Sequence, residues 1–438
     1  MRIRPARRIN GRIHLPGDKS ISHRAALIAA MAKGTSRISN FSTSQDCATT
    51  LSCLVELGIA IQRDGNEVSI EGAGNNGLRG PYHSLNCGNS GSTIRMLAGI
   101  LAGQSFSTTL TGDESLRARP MQRIIEPLVR MGAHIIAEDG KPPLTVEGTA
   151  LLKGIEYELP VASAQVKSCV LLAALQARGR TEITETLGTT RDHTELMLSW
   201  FGVPLEITTS SAGFNCVALA GPVTFDAREV SIPGDISSAA FFATAAALIP
   251  GSTLEMNGVG LNATRTQFLS TLQSIGLKAE SSGLHEECNE AVGTIRVSGR
   301  VNHEFEAQKE SHLVNGTLIP KLIDELPLLA VVGTQISGGI EIRDAGELRF
   351  KESDRISATV KNLRTMGAEV TEYDDGLAVA GPVQLRGGRL HAHGDHRIAM
   401  AFSIAALIAD GESEIAGEEC VAVSFPEFFD LLDSLVVR

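Results

Sequence analysis

Five cations stand where a helix ordinarily disfavours them. Lys19, Arg119, Arg191, Lys351 and Arg397 each sit at or beside a stretch that reads as a helix start, facing the positive end of the helix dipole, where a cation is unfavourable unless an anion lies between. Five such residues in a chain of formal net charge −11 point to a local site for several negative charges. Arginine offers a planar fork to carboxylate or phosphate, and lysine a point charge. Around them stand Ser20, Arg24, Asn89, Gly91, Arg95, Ser163, Gln165, Lys167 and Arg355, mostly in the first turns of predicted helices. Ordinary capping of free N–H groups is the competing explanation, and it is the preferred one for Asp46 or Asn262 alone. Asp324 in LIDELP and Glu352 in KESDR break the pattern usefully. A carboxylate among cations stays ionised and can take a proton as a general base, although a structural salt bridge needs the same arrangement.

Three other motifs weigh against chemistry of a different kind. His391, His393, Asp395 and His396 have the H-x-H-x-D-H spacing of binuclear zinc hydrolases, but no histidine follows His396 to complete a ligand set. The alternative is that Asp395 caps a helix and Arg397 binds an anion. Gly17-Asp18-Lys19-Ser20 lacks the upstream glycine of a phosphate loop. The seven cysteines show no C-x-x-C pair and no obvious base partner.

The elements that must position these residues repeat. Six Ala-rich helical stretches recur at intervals of roughly 70 residues, each followed by a glycine suited to a left-handed C′ position: Gly34, Gly103, Gly179, Gly251, Gly338 with Gly339, and Gly411. Each is apolar nearly all round, as a buried helix is. A second, amphipathic helix in most intervals ends in Leu-x-x-x-Gly, at Leu54, Leu128, Leu198, Leu272 and Leu363, and short strand-type segments follow. The class is therefore α/β or α+β, with three units in each of two domains and a crossover near SIPGDISSAA.

Composition sets the outer bounds. A chain of 438 residues exceeds one core, and no apolar run reaches membrane-span length. The basic start MRIRPARRIN leads into polar residues, not the apolar region of an export signal. A cytoplasmic location is expected. The acidic balance and 4% aromatic content argue against nucleic-acid binding.

Taken in order, LPGDKSISHRA, NCGNSGSTIRML, GDESLRARPMQRIIEPL, SAQVKS, TRDHTELML, PGDISSAAFF, IDELPLLAV, ELRFKESDRI, GDHRIAMAF and SFPEFF resemble the 5-enolpyruvylshikimate-3-phosphate synthase family along essentially the whole chain. The resemblance implies a two-domain inside-out α/β barrel, each domain a threefold repeat of βαβαββ units around buried parallel helices. It places one lobe at 15–231, the other at 1–14 with 232–438, and the active site in the cleft between them. It implies transfer of the enolpyruvyl group of phosphoenolpyruvate to the 5-hydroxyl of shikimate 3-phosphate, with these two small molecules as partners and no metal or organic cofactor; a monomer is expected. Residue by residue, Lys19, Ser20, Arg24, Ser163, Ala164, Gln165, Arg191, Asp324 and Lys351 would hold shikimate 3-phosphate. Lys19, Asn89, Gly91, Arg119, Gln165, Arg355, His396 and Arg397 would hold phosphoenolpyruvate. Asp324 would accept the hydroxyl proton, and Glu352 or Lys19 would handle the methylene proton. The chain departs from the commonest pattern at Val423, where many members have lysine, and at His193, where some have a tyrosine near the shikimate phosphate. Its motif set resembles a glyphosate-tolerant subgroup, yet Gly91 stands where tolerant forms often have alanine.

Overall fold

Five helices end in the same hydrogen bond. The N–H of the residue after the glycine reaches back to the leucine carbonyl six positions inclusive before it: Ile59 to Leu54, Ala133 to Leu128, Val203 to Leu198, Leu277 to Leu272 and Ala368 to Leu363, all at 2.9–3.0 Å. The glycines between, Gly58, Gly132, Gly202, Gly276 and Gly367, have φ from 81 to 106°. This is the Schellman closure, and it explains the Leu-x-x-x-Gly signature physically, because a left-handed C′ residue costs glycine little. The computed structural model describes residues 1–299 and 313–438.

The glycines after the Ala-rich helices act differently from expectation. Gly103 is the C-cap of its helix at φ −90° and so is not left-handed. Gly34, Gly179, Gly251, Gly338, Gly339 and Gly411 do have positive φ, but lie several residues past the last helical position and turn the chain into the following strand. The caps themselves are Ala32, Leu175, Ile249, Thr334 and Ile408. A helix that enters an apolar core has no solvent-facing end for a glycine to serve.

Strand order repeats as well. In three sheets the strands lie first, second, fourth, third in chain order: Leu85–Asn86, Ser107–Thr111, Lys141–Glu147, His134–Glu138; then Glu156–Glu158, Gly179–Glu185, Asn215–Gly221, Leu205–Thr209; then Leu313–Val314, Ile340–Ile342, Gly376–Val379, Val370–Tyr373. The first pair is parallel and the rest antiparallel. Parallel neighbours need a crossover, which the Ala-rich helix provides. The remaining three sheets borrow strands from elsewhere in the chain. Val230–Ser231 pairs in parallel with Lys33–Ser39, Arg8–His14 with Thr253–Gly260, and Arg2–Ile3 flanks Ser413–Ala416. The unit is thus βαβαββ. Among the described residues the six sheets stay separate and close no barrel of strands.

The chain divides into two compact units: Gly17–Ile232 with Glu286–Glu290, and Met1–Pro16 with Pro233–His285 and Ala291–Arg438. Each has its own apolar core built on three of the Ala-rich helices. In the first, the helices Gly91–Ala102 and Ala164–Ala174 run parallel, since Ser92 meets Gln165 at one end and Gly103 meets Gln176 at the other. Their close approach depends on Gly99, where any Cβ would collide with the Cys169 carbonyl. Parallel packing brings N-termini, and the polar residues on them, to one end of the unit.

Candidate active site

In the unit holding Gly17–Ile232, Lys19 is the first residue of the helix Lys19–Met31, whose cap is Asp18 accepting from the Ile21 N–H. Its ammonium lies 2.8 Å from Asp46 Oδ2. Asp46 is therefore an ion-pair partner; the cap of its helix is Ser44, accepting from Cys47. Asn262, the other residue read as a cap, accepts from Thr264 N–H at 2.8 Å and turns the loop before the helix Gln267–Ser274. Arg24, 4% exposed, spends its guanidinium on Thr194 Oγ1 at 2.7 Å, Ser168 Oγ at 2.8 Å and the Ser20 carbonyl at 2.8 Å. These bonds tie the starts of three helices together.

A second group in this unit surrounds Gly91. Arg119 Nη2 donates to Asn89 Oδ1 at 2.8 Å, Arg95 Nη1 to Gln165 Oε1 at 2.6 Å, and Gln165 Nε2 to Ser92 Oγ at 3.0 Å. A Cβ on Gly91 would stand 3.1 Å from Arg95 Nη1 and 3.3 Å from Arg119 Nη1. The glycine thus leaves two guanidiniums room beside a buried helix start. Ser163 is the N-cap of Ala164–Ala174, yet its side chain makes no capping bond. Arg191 is half-buried in the segment leading to the helix His193–Trp200. His193 is 1% exposed, with Nδ1 2.6 Å from Glu290 Oε1. Its ring is committed to that carboxylate inside the unit.

In the other unit the named residues gather on two helix starts. Arg355 opens the helix Arg355–Thr365 at 2% exposure, and its Nε and Nη2 reach Asp395 Oδ2 at 2.8 Å and Glu352 Oε2 at 2.6 Å. Asp324 Oδ1 is 3.6 Å from Arg355 Nη1, and Oδ2 is 3.9 Å from Arg397 Nη2. Burial works against the Arg355 charge, but Asp395, Glu352 and Asp324 raise its pKa well above the ordinary arginine value. Asp395 caps His396–Leu407 by accepting from the Arg397 N–H at 2.9 Å. Arg397 is held in turn by Glu325 at 3.7 Å, and Glu325 by Ser237, which also receives Arg265 at 2.6 Å. His396 is the first residue of that helix and 3% exposed.

The dipole argument holds at fewer positions than the sequence suggested. Only Lys19 and Arg397 of the five cations lie in a helical first turn. Arg119 is the C-cap of Glu114–Ala118, where a cation is favourable, and Arg191 precedes its helix by two residues. Lys351 follows the 3-10 turn Gly346–Phe350 and pairs with Glu347 at 3.0 Å. Among the described residues no cluster of three or more histidine, cysteine, aspartate or glutamate side chains could hold a metal ion. Asp395 serves as cap and as the Arg355 partner, which gives the HAHGDH motif a different meaning from zinc ligation. Sequence reasoning missed Asp395, Thr194, Ser168 and Glu325 as partners of the cations. Nothing in the spacing of hydroxyls and acids marks which arginine they serve.

Comparison with known proteins gives one consistent result. The family described as EPSP synthase (3-phosphoshikimate 1-carboxyvinyltransferase) matches residues 3–432. A 3-phosphoshikimate 1-carboxyvinyltransferase of Koribacter versatilis is 49% identical over 439 residues, covering 100% of this chain and 99% of the relative, and that of Solibacter usitatus is 48% identical over 435, covering 99% of each. The solved EPSP synthase of Acinetobacter baumannii superposes with a TM-score of 0.85 at 38% identity, covering 100% of this chain and 98% of that one. The enolpyruvyl transferase NikO of Streptomyces tendae, at 16% identity and TM-score 0.77 over 99% of this chain and 96% of its own, shares the fold. With the family model matching residues 3–432 and a relative 49% identical across the chain, the chain belongs to the EPSP synthase family, the 3-phosphoshikimate 1-carboxyvinyltransferases.

Proposed function

We infer that the two sets of helix starts divide the labour of one reaction. As a member of its family the protein transfers the enolpyruvyl group of phosphoenolpyruvate to the 5-hydroxyl of shikimate 3-phosphate, releasing phosphate in the shikimate pathway. Its substrates are two small anions. Among the described residues no helix is long and apolar enough to cross a membrane.

In this reading Lys19, Ser20, Arg24, Ser163, Ala164, Gln165, Arg191 and Lys351 bind shikimate 3-phosphate, and Asn89, Gly91, Arg119, Arg355, His396 and Arg397 bind phosphoenolpyruvate. Lys19 and Gln165 touch both. Both lobes, 15–231 and 1–14 with 232–438, supply residues to this binding in the same reading. The 5-hydroxyl oxygen attacks C2 of phosphoenolpyruvate while Asp324 takes its proton. Glu352 or Lys19 delivers a proton to the methylene carbon, which gives a tetrahedral adduct. Loss of a proton from that carbon and of phosphate from C2 restores the double bond. Catalysis then rests on holding both anions in reacting geometry and on cations facing the developing charge.

The observation that carries the base assignment is the position of Asp324 beside two buried guanidiniums, Arg355 and Arg397. Cations 3.6 and 3.9 Å away favour the ionised carboxylate that a base requires. Phosphate release should need both substrates together. Release from phosphoenolpyruvate alone, or none with shikimate 3-phosphate present, would overturn the assignment.

A further inference from the structure

Lys167 is buried to 1% exposure in the first turn of Ala164–Ala174, two residues after Gln165. A buried ammonium is costly unless it is paired. Here it is paired twice, 3.1 Å from Glu185 Oε1 and 2.6 Å from Glu195 Oε1, with each carboxylate 2% exposed. Glu185 ends the strand Gly179–Glu185, and the same Oε1 accepts the Thr190 N–H at 2.9 Å and the Thr190 hydroxyl at 2.6 Å. Thr190 is the residue before Arg191. Glu195 lies on the helix His193–Trp200, whose Thr194 hydroxyl receives Arg24 Nε at 2.7 Å. Ser168, next to Lys167 in sequence, accepts from Arg24 Nη2 at 2.8 Å and lies 2.6 Å from Thr194 Oγ1.

One ammonium thereby joins three elements: the helix start with Ser163 and Gln165, the segment with Arg191, and the helix His193–Trp200, whose Thr194 receives Arg24. One cation between two anions is not an optimum for stability, since an apolar trio of similar volume is often as stable or more so. What the triad adds is direction. Each carboxylate has a fixed bond to Lys167, and Glu185 passes that fix to the residue bonded to Arg191.

We propose that Lys167 is a positioning residue for shikimate 3-phosphate, fixing through Glu185 and Glu195 the spacing of Arg191 and Arg24 from the Ser163–Gln165 helix start. The proposal rests on the substrate assignment above. It differs from a merely structural role in which substrate suffers. Loosening the triad should weaken the grip on shikimate 3-phosphate more than that on phosphoenolpyruvate, because Arg191 and Arg24 serve only the former while Gln165 keeps its own bonds to Arg95 and Ser92.

The test is steady-state phosphate release by Lys167→Met, Lys167→Arg, Thr190→Val and Arg191→Ala proteins, varying each substrate in turn, with thermal melting in parallel. Lys167→Met and Thr190→Val should raise KM for shikimate 3-phosphate about tenfold, as loss of a supporting partner typically does, with kcat and KM for phosphoenolpyruvate changed by less than about threefold. Lys167→Arg should restore most of the loss. Where Lys167→Met does not fold, Thr190→Val decides, because it removes only one donor to Glu185. Equal rises in both KM values, or an unchanged KM for shikimate 3-phosphate in folded Thr190→Val, overturn the proposal. An Arg191→Ala protein with unchanged KM for shikimate 3-phosphate overturns instead the assignment beneath it.

Discussion

Arg355 and Asp395 form an ion pair at 2.8 Å in which neither side chain is more than 2% exposed. Removing either partner leaves a charge with no solvent to receive it, whereas the pair together, with Glu352 and Asp324 on the same guanidinium, is compensated. Planarity matters here, because Arg355 faces its carboxylates through different nitrogens and a lysine offers a single one.

Arg355→Ala should therefore destabilise the protein by about 3–5 kcal/mol, the usual consequence of breaking a buried pair. Arg355→Lys keeps the charge and should cost less stability, while still raising KM for phosphoenolpyruvate. Denaturant titration and steady-state kinetics on the same two proteins separate the effects. Equal stability of Arg355→Ala and wild type would contradict the burial argument.

Gly99 presents the opposite case, a residue with no chemistry and a strict steric duty. Gly99→Ala should lose about 1–3 kcal/mol by overpacking against the Cys169 carbonyl. KM values of the folded fraction should stay near wild type. Gly251→Ala, at φ 67° with no atom within 4 Å of the added Cβ, provides the contrast, since its penalty comes from backbone strain alone. A melting temperature for Gly99→Ala at or above wild type would show that the helices can separate freely.

The difference between these positions marks how far the sequence could be read. Motif order and the Leu-x-x-x-Gly closures were legible because each depends on local spacing: five leucines and five glycines make the same local bond wherever they occur. The mixture of strands with two helices in each unit followed from the same regularity, whereas the βαβαββ order came only with the family resemblance. The glycines after the core helices misled, since burial of those helix ends is a tertiary fact. So did the dipole argument for Arg119 and Lys351, which depends on helix boundaries that shift by a few residues. The partners of the cations were hidden for another reason. Asp395 and Arg355 are 40 residues apart, and Arg24 and Thr194 are 170 apart, so only the fold brings them together.

His23 predicts a pH dependence of stability. It is fully buried, with Nδ1 2.7 Å from Thr50 Oγ1 and Nε2 without a hydrogen-bond partner. Burial, aided by Lys19 and Arg24, lowers its pKa well below the ordinary value of 6.5. Below that value the unfolded chain takes up a proton that the folded protein refuses, so stability present at neutral pH is lost as pH falls. This one group contributes a slope of up to about 1.4 kcal/mol per pH unit from near 6.5 downward, until the folded pKa is reached. Denaturant titrations between neutral pH and pH 5 should show His23→Asn with a shallower decline than wild type. Parallel declines would refute the assignment of the slope to His23.

Asp324 carries the central claim, that a carboxylate held among buried cations removes the hydroxyl proton while the surrounding helix starts hold the anions. The direct measurement pairs calorimetric binding of shikimate 3-phosphate with phosphate-release turnover for Asp324→Asn and wild type. Removing a general base should lower kcat by about 10²–10⁴-fold. Binding of shikimate 3-phosphate should remain within several-fold of wild type. Turnover that survives the substitution, or turnover and binding lost together, would contradict the account.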